Sequence, residues 1–178
     1  PIEVASASFG QGISTTPIQH LQALNIIAND GYMVKPHIIT KIDSNGEITY
    51  ERQIEKVKVA SKETTDKIKE LMYNTVHDVE GNATGIGYKV DGLDVIGKTG
   101  TAQIYENGAY LTGTNDYIVS IAMMYPKNDP EIIIYAAIKK PNRSANSVLT
   151  EPIKELVKNI SKYKGMFSEN ETSNKELY

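Results

Sequence analysis

"DYIVSIAMMY", residues 116–125, and "EIIIYAAIKK", residues 131–140, constrain this chain more than any other feature. Both runs are almost continuously apolar, without the polar alternation of a strand half in water. They therefore have to be covered on two faces. The "PKNDP" between them, with its Asp129-Pro130 pair, is too short for a crossover. The two strands must then be antiparallel neighbours, and the rest of the chain has to supply the cover.

Three segments read as helices able to do so. In "TPIQHLQALNIIANDG", Thr16 is the expected N-cap, Pro17 takes the first helical position, and Gln19 completes a capping box. Ile18, Leu21, Ala28 and the Leu24–Ile27 group form its apolar face, and Gly31 suits a left-handed C-cap. In "SKETTDKIKELMYNTVH", Ser61 is the cap, and Ile68, Leu71, Met72 and Val76 form the inward stripe. In "TEPIKELVKNISKYKG", Thr150 is the expected cap, Ile153, Leu156, Val157 and Ile160 face inward, and Gly165 ends the helix.

"YMVKPHIITKI" and "EITYE" read as strands around an Asn45-Gly46 turn, and Asn107-Gly108 marks another turn. "DVEGNATGIG" reads as a loop, and the charges of "RQIEKVKVASKETTDK" as a solvated face. The order helix, strands, helix, three strands, helix predicts an α+β fold: an antiparallel sheet sandwiched by helices. Residues 1–164 are expected to form one unit, and the polar residues 165–178 a tail or linker.

Composition excludes several functions. A net charge of -3 with no basic block gives no reason to expect nucleic acid. The absence of cysteine rules out disulfides, thiolate metal sites and cysteine catalysis. His20, His37 and His77 do not share metal-ligand spacing and read as structural or surface residues. No metal and no cofactor is called for. No apolar run approaches the roughly 18 residues of a membrane span. The chain starts at Pro1 with no initiator methionine, so a piece of a longer protein is expected, and any anchor would lie elsewhere.

"VIGKTGTAQIY", residues 95–105, has the flanks of a strand and an unusual centre. Lys98 brings positive charge, and Thr99 and Thr101 bring directed hydroxyl donors, a set suited to a carboxylate. Gly97 and Gly100 would let a second backbone lie along the strand, so that an extended peptide could pair with its edge. A backbone N–H near the centre could meet a developing oxyanion. The residues alone thus describe a site for the C-terminal carboxylate of a peptide. Tyr105 and Tyr110 either border it or pack in the core or at the sheet rim.

"KTGTAQ" resembles the third signature of the penicillin-binding proteins and serine β-lactamases. "SFGQGISTTPIQHLQALNIIANDG" is similar to the segment upstream of that signature in class B penicillin-binding transpeptidases. "GTNDYIVSIAMMYPKNDPEIIIYAAIKKP" resembles the strands that follow it. The likeness runs through residues 6–163 and looks nearest to the cell-division enzymes of Gram-positive bacteria. It implies the C-terminal part of a β-lactamase/transpeptidase-like domain. In that reaction a serine attacks the penultimate D-alanyl carbonyl of a peptidoglycan stem peptide, D-alanine leaves, and a neighbouring amine resolves the acyl-enzyme. β-Lactams imitate the D-Ala-D-Ala end and stay on the serine. Carried over, Lys98 assists proton traffic and anchors negative charge. Thr99 and Thr101 bind the carboxylate, the Thr101 N–H is an oxyanion donor, and Gly100 and Gln103 lie along the substrate-facing strand. Gly10, Gln11 and Gly12 either make a turn or shape one wall of the site.

The family's S-x-x-K and S-x-N motifs lie upstream of a block like "SFGQG" and are expected outside this chain, in an N-terminal half that would be its partner. "SKYK" at Ser161–Lys164, and "SAN" and "SEN" at residues 144–146 and 168–170, match by spelling only, all after the signature strand. The fragment alone is expected to be inactive. The resemblance further implies a cell membrane location on the extracytoplasmic face, with divisome or elongation proteins as possible partners. The rival readings are a penicillin-binding sensor domain of a β-lactam receptor, and a D,D-carboxypeptidase or serine β-lactamase. Turnover of the acyl-drug separates them.

Overall fold

The two apolar runs form β8 (Tyr117–Tyr125) and β9 (Ile132–Lys139), antiparallel, with β5 (Ile96–Gln103) paired to the other side of β8. The structure is a computed structural model, and it describes residues 2–8, 10–78, 80–142 and 148–167. The sheet order is β5-β8-β9, so β5 is an edge strand.

Both faces of β8 are covered, as its continuous apolar run requires, whereas β9, an edge strand, is only half-buried along most of its length. On one face α2 (Pro17–Ala28) and α3 (Lys62–His77) bury Leu24, Ala28, Met72, Ile96 and Met124. On the other, α4 (Thr150–Lys164) and a 3-10 turn at Ile86–Tyr88 enclose Val95, Val119, Ile121, Met123, Ile153 and Val157. Neighbouring residues of β8 alternate between these cores. Met123 and Met124 are both fully buried, one on each side. Each such side chain stabilises the fold by about 1.5–3 kcal/mol.

Local signals place the helix ends. Thr16 and Gln19 form the capping box, with Pro17 first in α2. Ser61 accepts from the Thr64 N–H to cap α3, and Gly165 ends α4 at φ 66°. At the end of α2 the left-handed turn is shared by Asp30 (φ 51°) and Gly31 (φ 91°). Gly31 is needed there on a second count: a Cβ would stand 2.0 Å from the Ala60 carbonyl oxygen.

Several expectations are corrected. "YMVKPHIITKI" is not one strand. It divides around Lys35–Thr40 into β1 (Tyr32–Val34) and β2 (Lys41–Ser44), because Pro36 cannot donate to a ladder. β1 pairs with β4 (Lys56–Lys58), in the stretch read as a solvated face, while β2 pairs with β3 (Glu47–Glu51) across Asn45-Gly46. A short α1 (Ile2–Ala7) precedes α2. Leu149 occupies the N-cap position of α4 and makes no side-chain cap, and Thr150 is the first helical residue. Leu71 and Leu156 point outward, at 68% and 43% exposure, while Lys69 and Ser161 occupy the inward stripes. The buried Lys69 amine reaches the Asp30 carboxylate at 3.2 Å and the Asn128 carbonyl at 3.4 Å, fastening α3 to the end of α2 and to the β8–β9 turn. Residues 168–178, most of the expected tail, lie outside the described residues.

Candidate active site

Residues 98–103 lie along β5, whose side away from β8 has no strand partner among the described residues. Which backbone groups face that open side follows from the ladder. Ile104 continues the register opposite Asp116 and donates its N–H to the Asp116 carbonyl. In an antiparallel pair the bonding residues alternate. Lys98, Gly100 and Ala102 are therefore turned toward β8, and Thr99, Thr101 and Gln103 present N–H and C=O to the open edge. The Lys98 amine fits this phase, donating to the Thr99 carbonyl at 2.8 Å.

Side chains divide by face. Thr99, Thr101 and Gln103 stand opposite Ile121, Val119 and Tyr117, on the α4 side of the sheet. Lys98 stands opposite Ala122, on the α2/α3 side. The lysine and the hydroxyls are thus not neighbours on one face. The lysine amine comes back to the edge, where it meets the Thr99 carbonyl. Lys98, Thr101 and Gln103 are exposed and Thr99 is half-buried. No carboxylate among the described residues pairs with Lys98, so its charge is available to an anion.

The glycines also meet a packing constraint. A Cβ on Gly100 would lie 2.5 Å from Ser120 Oγ, and one on Gly97 would lie 3.0 Å from the Ala122 carbonyl oxygen. At Gly97 the crowding atom is backbone of the neighbouring strand β8, and at Gly100 it is the end of a β8 side chain.

Support comes from the flanks. His77, at the end of α3, lies 2.7 Å from the Val95 carbonyl through Nε2 and is stacked on Tyr73, which fixes the entry of β5. The other histidines are also structural: His20 stacks on Tyr135 and meets Thr15, and His37 meets Arg52. At the far end β6 (Tyr105–Glu106) and β7 (Ala109–Tyr110) make a hairpin in which Tyr105 and Tyr110 pack edge to face. Thr84 escaped the sequence reading. Its Oγ1 is 2.9 Å from Thr99 Oγ1, a contact across 15 residues that no local pattern announces.

The "SKYK" match at Ser161–Lys164 is no part of this edge. Ser161 is fully buried on the inner side of α4, and Lys164 pairs with Glu131. Residues 144–146 and 168–170 lie outside the described residues. No cluster of potential metal ligands occurs among the described residues.

The chain as a whole is similar to one family of known proteins. The penicillin binding protein transpeptidase domain model matches residues 2–162, and the chain belongs to that family. Stage V sporulation protein D of Bacillus subtilis is 39% identical over 144 residues, which is 79% of this chain and 21% of that protein. A peptidoglycan D,D-transpeptidase FtsI homolog of Mesostigma viride is 32% identical over 79% of this chain and 25% of its own length. Among solved structures, penicillin binding protein 2X of Streptococcus thermophilus superposes with a TM-score of 0.78 at 30% identity, over 98% of this chain and 27% of that one. Penicillin binding protein 3 of Mycobacterium tuberculosis, complexed with aztreonam, gives 0.80 at 25% identity, over 92% and 38%. The chain therefore spans about a fifth to a quarter of the curated relatives it matches.

Proposed function

We propose that this chain forms the substrate-binding wall of a serine-type peptidoglycan D,D-transpeptidase, and that the attacking hydroxyl comes from a segment outside it. The observation that carries this reading is the edge of β5 that has no strand partner among the described residues, with the N–H groups of Thr99 and Thr101 directed outward beside a lysine that no described carboxylate pairs with.

A stem peptide ending in D-Ala-D-Ala would lie along this edge as an added strand. Its terminal carboxylate is taken by the hydroxyls of Thr99 and Thr101, with Lys98 supplying the charge. When the serine attacks the penultimate D-alanyl carbonyl, the oxygen becomes an anion, and the outward N–H of Thr101 is a donor fixed in place before the reaction. The carbonyl reforms as the C–N bond breaks and D-alanine leaves with a proton. An amine of a neighbouring stem then attacks the ester and releases the serine. Lys98 steadies the negative charge and assists proton traffic at the serine. A β-lactam presents a carboxylate and a strained amide in the same arrangement, and its ring opening leaves no departing group to clear the site. Gln103 extends the peptide-binding edge.

On this reading the reaction takes place on peptidoglycan at the outer face of the cell membrane, with a membrane anchor and division or elongation partners engaged through other segments of the protein. Among the described residues no helix is long and apolar enough to cross a membrane. The test is acylation by a labelled penicillin in the full-length protein. Lys98→Ala is expected to slow it by about a hundredfold, the scale of removing one anion-stabilising group, and Thr101→Val, which keeps the backbone N–H and loses only the hydroxyl, by about tenfold. The isolated chain should take no label. Covalent labelling at Ser161, or full acylation by Lys98→Ala, refutes the assignment.

A further inference from the structure

We propose that Thr84 is a positioning residue of the anion site on β5, setting the direction in which the Thr99 hydroxyl donates. The proposal rests on the carboxylate-binding reading of β5 given above. The two hydroxyl oxygens are 2.9 Å apart. Each hydroxyl carries one proton, so one of the pair donates to the other. If Thr99 donates to Thr84, it has nothing left for a carboxylate. With an anion at the edge the favourable chain runs the other way: Thr84 donates to Thr99 Oγ1, and Thr99 donates to the anion. Each bond polarises the next, and both strengthen.

Thr84 is suited to this because its loop is held from both sides. The Gly85 N–H donates to the Thr75 carbonyl of α3 at 2.9 Å, and the Tyr88 N–H donates to the Gly85 carbonyl at 2.9 Å. Gly85 and Tyr88 are both buried. A Cβ on Gly85 would stand 3.1 Å from the Thr75 carbonyl oxygen, so the glycine lets the loop sit against the helix. Thr84 itself is exposed, on the face that carries Thr99 and Thr101. Three hydroxyls from two separate elements thus flank one strand edge, and the one from the loop orients the middle one.

The test uses the full-length protein and two probes, a labelled penicillin with its free carboxylate and the methyl ester of the same compound. Thr84→Val keeps the shape and removes the donor. It is expected to slow acylation by the free acid about tenfold, the scale of one hydrogen bond relayed to a charge, and to leave the ester rate unchanged. Thr84→Ser should restore the acid rate to within about twofold. Thr84→Val combined with Thr99→Val should be no slower than Thr99→Val alone, because a relay has nothing to orient once its target is gone. Equal slowing of acid and ester by Thr84→Val, or failure of Thr84→Ser to restore the rate, overturns the proposal while leaving the β5 reading in place. If Thr99→Val itself does not separate acid from ester, both fall.

Discussion

Gly100→Ala tests whether the glycine of the signature strand serves the substrate or the sheet. The new Cβ would stand 2.5 Å from Ser120 Oγ, with Ser120 Cβ at 3.9 Å. Ordinary packing distances are about 3.5 Å or more, so the hydroxyl has to rotate away or the strands have to part. Overpacking of this kind costs about 1–3 kcal/mol, while loss of glycine from a strand interior returns about 0.5–1 kcal/mol. The expected net effect is a destabilisation of about 0.5–2 kcal/mol. Ser120→Ala removes the obstructing atom, so the double variant should be more stable than Ser120→Ala alone by about 0.5–1 kcal/mol, the glycine term by itself. The assay is urea unfolding of the four proteins of this cycle in full-length form, read beside penicillin acylation. If Gly100→Ala is as stable as the parent, or if Ser120→Ala does not rescue it, the glycine is not explained by β8. A rescue of stability without a rescue of acylation would return Gly100 to the substrate groove.

Two further predictions concern the frame. Lys69→Met should be nearly neutral or stabilising, whereas Asp30→Asn leaves a buried ammonium without its carboxylate and should cost about 1–3 kcal/mol, reduced by the partial exposure of Asp30. The hydrogen bond from Lys69, with help from Lys62, holds the Asp30 carboxyl below its ordinary value against the opposing effect of burial. The contribution is therefore present above the unfolded carboxylate range and lost as pH falls through the depressed folded value. Asp30→Asn should flatten the acid limb of a stability–pH curve, and an unchanged limb counts against the ion pair. Gly31→Ala meets the Ala60 carbonyl and a positive φ together, and should cost about 3 kcal/mol or more in a denaturant titration; a cost below about 1 kcal/mol would contradict the close approach.

What the sequence made legible was the chemistry that acts over a few residues. Thr16, Gln19, Ser61 and Gly165 announce helix ends because capping is a contact within one turn. The apolar run of β8 announces a doubly covered strand because both faces of a strand are written in consecutive residues. The pairing of β1 with β4 was hidden because it joins strands separated by a hairpin and leaves β4 exposed. Helix rotation was only half readable. Leu71 and Leu156 belong to apolar stripes by spacing, yet the helices turn so that Lys69 and Ser161 go inward, an outcome set by what each helix packs against. At the candidate site, the position and polarity of Lys98, Thr99 and Thr101 could be read directly. The division of lysine and hydroxyls between two faces also follows from period two. Thr84 and the grip of β8 on the glycines could not be read, because each depends on a neighbour brought close only by the fold.

The side of β5 that has no strand partner among the described residues has a cost as well as the proposed use. A row of free peptide groups will accept any extended chain of suitable register, including the same strand of a second molecule. The ammonium of Lys98 at that rim is then also a gatekeeper, since two copies meeting edge to edge would bring like charges together, whereas a chain ending in a carboxylate would not. A substitution that neutralises Lys98 would on this account do two unrelated harms, weakening the grip on the guest and removing the repulsion that keeps neighbours apart.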